Sequence, residues 1–435
     1  MAIVWLFGVV VGKQQFFPYP QMKSVFDEAK LGFDRIRGEF QPEVSWFFYR
    51  RPPDGSVPIT QTHLPDKVSQ ELLLVYGLGD DDLMSIRIMD NSGEVLHRWD
   101  ISAFDLWPDM SHVPADLRPK EEPSGELHGL ELLPNGDVVF NFEPLGLMRL
   151  GFCGDVIWRL PMFTHHAVHL DESGILYVPE YPLSDDDAEG SIIEESILEV
   201  SLDGELLGQI SILDMLKEAD LVGLLYLSSI GTYGVDISET DVLHLNDVEP
   251  FPDHLEPGVF ERGDIMVSLR NLNTVLVFNR KTRKIKYVYT GSVFMQHDPD
   301  FISGNEISVF DNRSLVPDSV GQSKRPSDVS SRIVILDARD NSARVYFQGT
   351  NEIPFFTDIM GKHQWLPNGD VLITESRWGR AFEITSDREL AWEFNNIVGN
   401  GKAKGLLAMI AEARRLPAEF DRAKLETLKK TCPSG

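Results

Sequence analysis

The feature of this sequence that most restricts its fold is a repeated pattern of a short apolar segment, a turn and further alternating segments. Clear copies begin at His128, His165 and His363, and looser copies begin at Glu71, His244 and Gln296. The turns LPNGD and DESGI contain Asn-Gly and Ser-Gly, which favour tight hairpins because these residues tolerate positive φ. Six such units of short alternating strands predict a six-bladed β-propeller.

We therefore predict an all-β protein, a six-bladed β-propeller with short N-terminal and C-terminal helical segments. The repeats place the propeller at residues 66–398. Residues 18–65 are predicted to form an N-terminal helix and a linker. Residues 399–435 are predicted to form a helical tail, with two helices broken near Pro417.

Residues 1–17 contain an uncharged apolar run at 2–12 that ends at Lys13. This run is too short to span a bilayer, which needs about 20 residues. Two interpretations stay open: a buried segment of the fold, or an apolar leader that is a truncated signal anchor.

Composition excludes some partners. The formal net charge is −28, and no cluster of Lys and Arg is present, so a nucleic acid is not an expected partner. The two cysteines, Cys153 and Cys432, could pair or stay free, and their number alone assigns no redox compartment.

Five histidines stand where a blade begins, and in a propeller the first strand of each blade lines the central channel. We therefore expect these imidazoles to share one mouth of the channel: His128, His166, His244, His297 and His363. The alternative is that each histidine only bonds the backbone of the next blade.

The sequence lacks the marks of several common sites. Apart from the ambiguous HHAVH at 165–169, closely spaced zinc ligands are missing. A G-x-S-x-G elbow and a glycine-rich phosphate loop are missing as well, so no metal and no cofactor is predicted. Imidazoles together with Arg270 and Arg313 instead suit an anion with tetrahedral oxygens, because the arginine fork donates two hydrogen bonds to such a group.

The motifs HLND, VSLRNLNTV, QHDPDF, SVFDN and HQWLPNGDVLI, with the HGLELLPNGD start, resemble the bacterial arylsulfate sulfotransferase (arylsulfotransferase) family. The resemblance covers roughly residues 120–395. It implies a six-bladed propeller that transfers a sulfuryl group from an aryl sulfate ester to a phenol. It also implies a sulfohistidine intermediate and no nucleotide sulfate donor.

Carried over motif by motif, the resemblance implies that His244 is the nucleophile and that His297 and His363 are further catalytic histidines. It implies that Arg313 is the catalytic arginine and that Arg270 contacts the sulfuryl oxygens. The remaining residues of the channel mouth are expected to bind substrate: His128, His166 and Asn246.

Asp247 is a departure from the family pattern, which usually has a small polar residue at this place. A carboxylate there would raise the pKa of His244 and make it a poorer nucleophile.

The expected activity is that of an arylsulfate sulfotransferase acting on small aryl sulfates and phenols. Its expected location is periplasmic or extracytoplasmic, with a membrane contact only through a candidate N-terminal anchor. Two alternatives stay open: a non-catalytic propeller that binds an anionic ligand at the channel mouth, and a metal-dependent propeller lactonase.

Overall fold

The computed structural model describes residues 48–52, 56–115, 117–123, 125–182, 192–227, 241–313 and 329–433. The predicted leader and N-terminal helix lie outside these residues. None of the helices in the described ranges is long and apolar enough to cross a membrane.

Six antiparallel sheets form the blades, and each is given from its innermost strand outwards. Blades 1 to 3 consist of β27 (Ile410–Arg415), β3 (Leu73–Leu78), β4 (Met84–Met89) and β5 (Val95–Ile101); β6 (Glu126–Leu132), β7 (Val138–Glu143), β8 (Gly146–Leu150) and β9 (Val156–Leu160); and β10 (His169–Leu170), β11 (Ile175–Glu180), β12 (Ser196–Ser201) and β13 (Leu206–Ser211).

Blades 4 to 6 follow the same order, and blade 6 has a fifth, outermost strand. They consist of β14 (Leu245–Pro250), β15 (Asp264–Leu269), β16 (Thr274–Asn279) and β17 (Ile285–Thr290); β18 (His297–Phe301), β19 (Glu306–Asp311), β20 (Arg332–Asp337) and β21 (Ser342–Gln348); and β22 (Lys362–Trp365), β23 (Val371–Glu375), β24 (Arg380–Ile384), β25 (Leu390–Asn395) and β2 (Thr60–Thr62).

The innermost strands form a closed ring. Each of them contacts the innermost strand of the next blade, in the order β27, β6, β10, β14, β18, β22 and back to β27. The predicted six-bladed propeller is therefore confirmed, and the inner strands line a central channel.

The middle strands of each blade are mostly apolar because both of their faces are covered. In blade 4, β15 and β16 are almost entirely buried between the neighbouring blades. The main apolar clusters lie between adjacent blades, as where Tyr177 and Ile197 of blade 3 join Ile265 and Leu276 of blade 4. Apolar burial of this kind stabilises the ring.

The predicted hairpin turns form where glycine supplies positive φ. In both LPNGD turns the glycine, Gly136 or Gly369, has a φ near 90°. The main-chain N–H of Gly136 donates to the oxygen of Leu133 at 2.8 Å. Each of these turns joins the first two strands of a blade, so the turn sets the length of the inner strand.

Both ends of the described chain extend the propeller beyond the predicted limits of 66 and 398. Residues 410–415 form β27, the inner strand of blade 1, where Ala413 pairs with Val75. The prediction of a helix in this segment is wrong. The open edge of β3 offers backbone hydrogen bonds to the strand, and this tertiary contact overrides the helix propensity of alanine, glutamate and arginine.

Two short strands and three helices complete the described residues. β1 (Tyr49–Arg50) pairs with β26 (Leu407–Ala408). The helices are α1 (Ala103–Leu106), α2 (Ile212–Glu218) and α3 (Arg422–Lys429). Helix α3 is the C-terminal helix expected from the sequence, capped by the Asp421 side chain, and a disulfide between Cys153 and Cys432 joins its end to blade 2.

Candidate active site

Four imidazoles meet where the inner strands begin. We call His128, His166, His244 and His297 the histidine cluster. The ring centre of His166 lies 4.5 Å from that of His128, 5.0 Å from that of His244 and 6.4 Å from that of His297. His166 therefore contacts all three of the others, as the blade-entrance pattern predicted for these four.

His244 is the most clearly prepared of the four as a nucleophile. Its Nδ1 lies 2.6 Å from a carboxylate oxygen of Asp241, and 27% of its side chain stays exposed. Burial would raise the pKa of Asp241, but its interactions with His244 and the charge of Arg270 together lower it. In the neutral ring of His244, Nδ1 donates its proton to the carboxylate and Nε2 carries the lone pair.

His297 is held in the same tautomer by a neutral partner. Its Nδ1 lies 2.8 Å from the Asn312 amide oxygen, whose nitrogen donates to the main-chain oxygens of Thr357 and Met360. Burial, and then the charge of Arg270, hold the pKa of His297 well below its usual range. His297 is therefore neutral, with its Nε2 lone pair available as a base.

His128 is a cation. Its Nε2 and Nδ1 lie 2.9 Å from carboxylate oxygens of Glu126 and Glu143 respectively. Burial alone would lower the pKa of His128, but the two carboxylates raise it to about 10. The charge of His128 is therefore balanced by the two carboxylates, and its ring has no lone pair for catalysis.

Arg270 adds a second positive charge. The residue is only 8% exposed, and its guanidinium donates to the side-chain oxygen of Asn271 at 2.9 Å. Burial lowers its pKa to about 10, so it stays charged at neutral pH. In the described part of the chain no carboxylate lies within ion-pair distance of it, which leaves its charge available for an anionic ligand.

Asn246 lies beside the cluster. It lines the same small cavity as His128, His166 and His297, and its amide nitrogen donates to the main-chain oxygen of Gln296 at 2.8 Å. The amide oxygen of Asn246 is buried without a hydrogen-bond partner in the structure.

His363 does not join the cluster. Its Nδ1 lies 2.8 Å from Asp298 and its Nε2 lies 2.8 Å from the Ser308 hydroxyl, and its side chain is fully buried. The positive-φ residue at the entrance to this blade is Met360. Side chains alternate along a strand, so Lys362 faces the cavity beside His297 and His128, whereas His363 turns away.

Arg313 also lies apart from the cluster. It lines a separate cavity of about 210 Å³ with Asp311 and Arg332. Neither Arg313 nor Arg270 lines the small cavity of His128, His166 and His297, but the charge of Arg270 reaches His297.

Asp247 does not approach His244 as the sequence suggested. Its buried carboxylate lies 3.3 Å from His169 and 3.6 Å from Lys362. The carboxylate beside His244 is Asp241, which the i, i+3 spacing in DVLH could have indicated.

Lys362 lines the small cavity of the histidine cluster, beside His128 and His297. Its ammonium lies 2.7 Å from Asp298. Burial would lower the pKa of Lys362, but Asp247 and Asp298 raise it well above its usual value. Beyond this ionic layer a cavity of about 600 Å³ opens towards the other mouth of the channel, lined by His363, Glu249 and Asp300 among others.

Two groups of side chains lie close enough together to hold a metal ion: His128, Glu143 and His166, and Asp298, Asp300 and His363. His128 and His363, however, already use both ring nitrogens in bonds to other side chains. A metal ion would have to displace these bonds.

The fold and the cluster define a class: a six-bladed propeller whose channel mouth combines neutral imidazoles with fixed positive charge. The sequence profile of the arylsulfotransferase (ASST) family matches residues 129–397, which is more than half of the chain. This protein belongs to the arylsulfotransferase family.

Similar solved structures share little sequence with this chain. A Bacteroides caccae protein of unknown function is 13% identical (TM-score 0.47), covering 79% of this chain and 98% of its own. A Staphylococcus aureus virginiamycin B lyase is 10% identical (TM-score 0.39), covering 78% of this chain and 88% of its own. TolB from Acinetobacter baumannii is 11% identical (TM-score 0.42), covering 80% of this chain and 67% of its own. No curated protein matches the chain. These similarities are too distant to indicate a function.

Proposed function

We propose that the protein transfers a sulfuryl group from an aryl sulfate to a phenol through a sulfohistidine at His244. The observation that carries the proposal is the Asp241–His244 pair, 2.6 Å apart. Beside it, the charge of Arg270 has no ion-pair partner among the described residues and acts on both Asp241 and His297. In the neutral ring, a carboxylate on Nδ1 leaves Nε2 as the nucleophile. The carboxylate also favours protonation of the ring before attack, but it stabilises the positive ring that forms on attack.

In the first step, Nε2 of His244 attacks sulfur. The nitrogen–sulfur bond forms while the bond from sulfur to the aryl oxygen breaks, and the electron pair leaves with the phenolate. Arg270 stabilises the negative charge on the sulfuryl and phenolate oxygens.

In the second step, the acceptor phenol attacks the same sulfur. Nε2 of His297 takes the phenol proton, the oxygen–sulfur bond forms, and the nitrogen–sulfur bond breaks to regenerate neutral His244. No nucleotide sulfate is used in either step, and ping-pong kinetics are expected.

The test is release of a chromogenic phenol from its sulfate ester in the presence of a second phenol, with a nucleotide sulfate as comparison donor. The wild type should transfer only from the aryl sulfate, and His244→Ala should lose release. His63→Ala, at an exposed histidine beside the outermost strand of blade 6, is the matched control.

Trapping the protein with the aryl sulfate alone should place one sulfate on the peptide that contains His244, as measured by mass spectrometry. Sulfate on the His297 peptide, or undiminished release by His244→Ala, would contradict the assignment of the nucleophile. Tight binding of the ester without release by the wild type would favour the non-catalytic alternative.

We also propose that the protein works outside the cytoplasm. The disulfide between Cys153 and Cys432 supports this, because such bonds persist in oxidising compartments. Fractionation of the native host with thiol labelling tests it: an oxidised pair in an extracytoplasmic fraction is expected, and free thiols in the cytoplasm would contradict it.

A further inference from the structure

A line of polar contacts leads from a buried glutamate to the centre of the histidine cluster. Glu195 is 1% exposed, and both of its carboxyl oxygens lie within 3.1 Å of the main-chain nitrogen of Leu245. One of these oxygens lies 3.5 Å from Nε2 of His165. Nδ1 of His165 in turn lies 2.8 Å from Nδ1 of His166.

The contact between the two Nδ1 atoms requires that one ring donates and the other accepts. If His165 donates from Nδ1, its Nε2 carries a lone pair and needs a proton from Glu195, while His166 has its own proton on Nε2. If Glu195 is ionised, His165 donates from Nε2 instead, and His166 has its proton on Nδ1. Whether His166 offers the cluster a donor or a lone pair therefore depends on the proton of Glu195.

The surroundings of Glu195 favour the protonated carboxyl. In the described residues the only ion-pair partner within reach is His165, and burial keeps His165 neutral by lowering its pKa to about 4. Burial, together with the charges of Asp241 and Glu143, raises the pKa of Glu195 well above its usual range, against hydrogen bonds from the Leu245 and His244 backbone.

Nε2 of His165 is also buried without a hydrogen-bond partner, as is one carboxylate oxygen of Asp241. The Asp241 oxygen is an acceptor, and Nε2 of His165 is one when Nδ1 of His165 donates to His166, so a protonated Glu195 supplies a donor that this group lacks. Two crowded carboxyls in one site commonly keep one proton between them, and the short bond to His244 marks Asp241 as the ionised member of the pair.

We propose that Glu195 is a protonated positioning residue that acts through His165 to fix His166 with its proton on Nε2. His166 then faces the cluster as a hydrogen-bond donor, whereas His244 and His297 offer lone pairs. The value of this arrangement for catalysis rests on the proposed sulfuryl transfer, in which the N–H of His166 would bind a sulfuryl oxygen.

The first experiment reads the tautomer directly, without any assay of activity. Full-length protein labelled with ¹⁵N-histidine is studied by long-range ¹⁵N–¹H correlation at neutral pH, and His166→Asn identifies the His166 signals. The expected result is a proton on Nε2 of His166 in the wild type and in Glu195→Gln. The amide of glutamine also donates to His165, so this variant imitates the protonated acid.

The second experiment compares kcat/KM for transfer and its dependence on pH. The kcat/KM of Glu195→Gln should stay within about threefold of the wild-type value. The kcat/KM of Glu195→Leu should fall about tenfold or more, because the proton of His166 is then no longer held on Nε2. The wild type should also lose activity at alkaline pH as Glu195 ionises, and Glu195→Gln should not show this loss. Glu180→Gln, a buried glutamate of the same blade that bonds Gln209, is the control.

A proton on Nδ1 of His166 in the wild type, or a Glu195→Gln variant that changes the tautomer, would overturn the proposal. If Glu195→Leu does not fold, the Glu195→Gln spectrum and its pH profile still decide the question. A wild type that shows the expected tautomer but no transfer would contradict the proposed function and leave the proton arrangement standing.

Discussion

The hydrogen-bond partner of each imidazole decides its chemistry in the histidine cluster. Two carboxylates make His128 a cation, one carboxylate directs the lone pair of His244 into the site, and an amide does the same for His297. Residues of one type thus differ in their chemistry because their hydrogen-bond partners differ.

Asp241→Asn should lower kcat/KM for sulfuryl transfer by about 100-fold, because an amide stabilises the positive ring of His244 much less than a carboxylate does. Steady-state assays measure the effect. Asp203→Asn, in an exposed turn of blade 3, should have no effect. Equal activity of Asp241→Asn and the wild type would show that the pair does not act in catalysis.

The contribution of His128 to the stability of the protein should decrease as pH rises. Its pKa is raised from 6.5 to about 10 on folding, so its contribution is complete below about pH 6.5 and is lost as pH rises to about 10. The free energy of unfolding of His128→Gln should therefore be lower than that of the wild type at pH 6, with a difference that shrinks towards pH 10. Urea unfolding at several pH values measures this, and a constant difference would contradict it.

Strand register decides which of the predicted residues reach the site. In blades 3 to 6 a residue with positive φ precedes the inner strand: His166, His244, Met295 and Met360. His297 and Lys362 both follow this residue by two positions and line the cavity, whereas His363 follows it by three and faces away. A histidine near a blade entrance was visible in the sequence, but its register against this residue was not.

Ala413→Pro should destabilise the propeller by about 3 kcal/mol or more, because proline removes the N–H that donates to the Thr374 hydroxyl and disrupts β27. Chemical denaturation measures the loss. Ala418→Pro is the matched control. The N–H of Phe420 donates to the oxygen of Pro417, so the exposed residue 418 is the second position of a turn, and proline is favoured at that position.

Ring closure depends on residues that are distant in sequence. The C-terminal β27 supplies the inner strand of blade 1, and β2 adds the outer strand of blade 6. The disulfide from blade 2 to the end of α3 spans 279 residues. Both ends of the described chain are therefore tied into the ring.

Cys432→Ser should lower the free energy of unfolding by roughly 2–4 kcal/mol, because the unfolded chain loses a constraint over a long loop. Transfer activity at low temperature should stay unchanged, since the bond lies far from the cluster in the fold. Denaturation with and without reductant measures the effect, and the Cys153→Ser, Cys432→Ser double variant should not respond to reductant. An equal stability of wild type and variant would contradict the role.

The sequence by itself determined the six-bladed propeller, because the blades depend on local turn chemistry and on a repeated alternation of apolar residues, and its short motifs carried the resemblance to the family. It also located four of the cluster histidines and Arg270. Only the tertiary structure decided that Asp241 rather than Asp247 bonds His244, that His363 and Arg313 lie elsewhere, and that residues 410–415 form a strand. These outcomes depend on strand register and on contacts between blades, which join residues far apart in the chain.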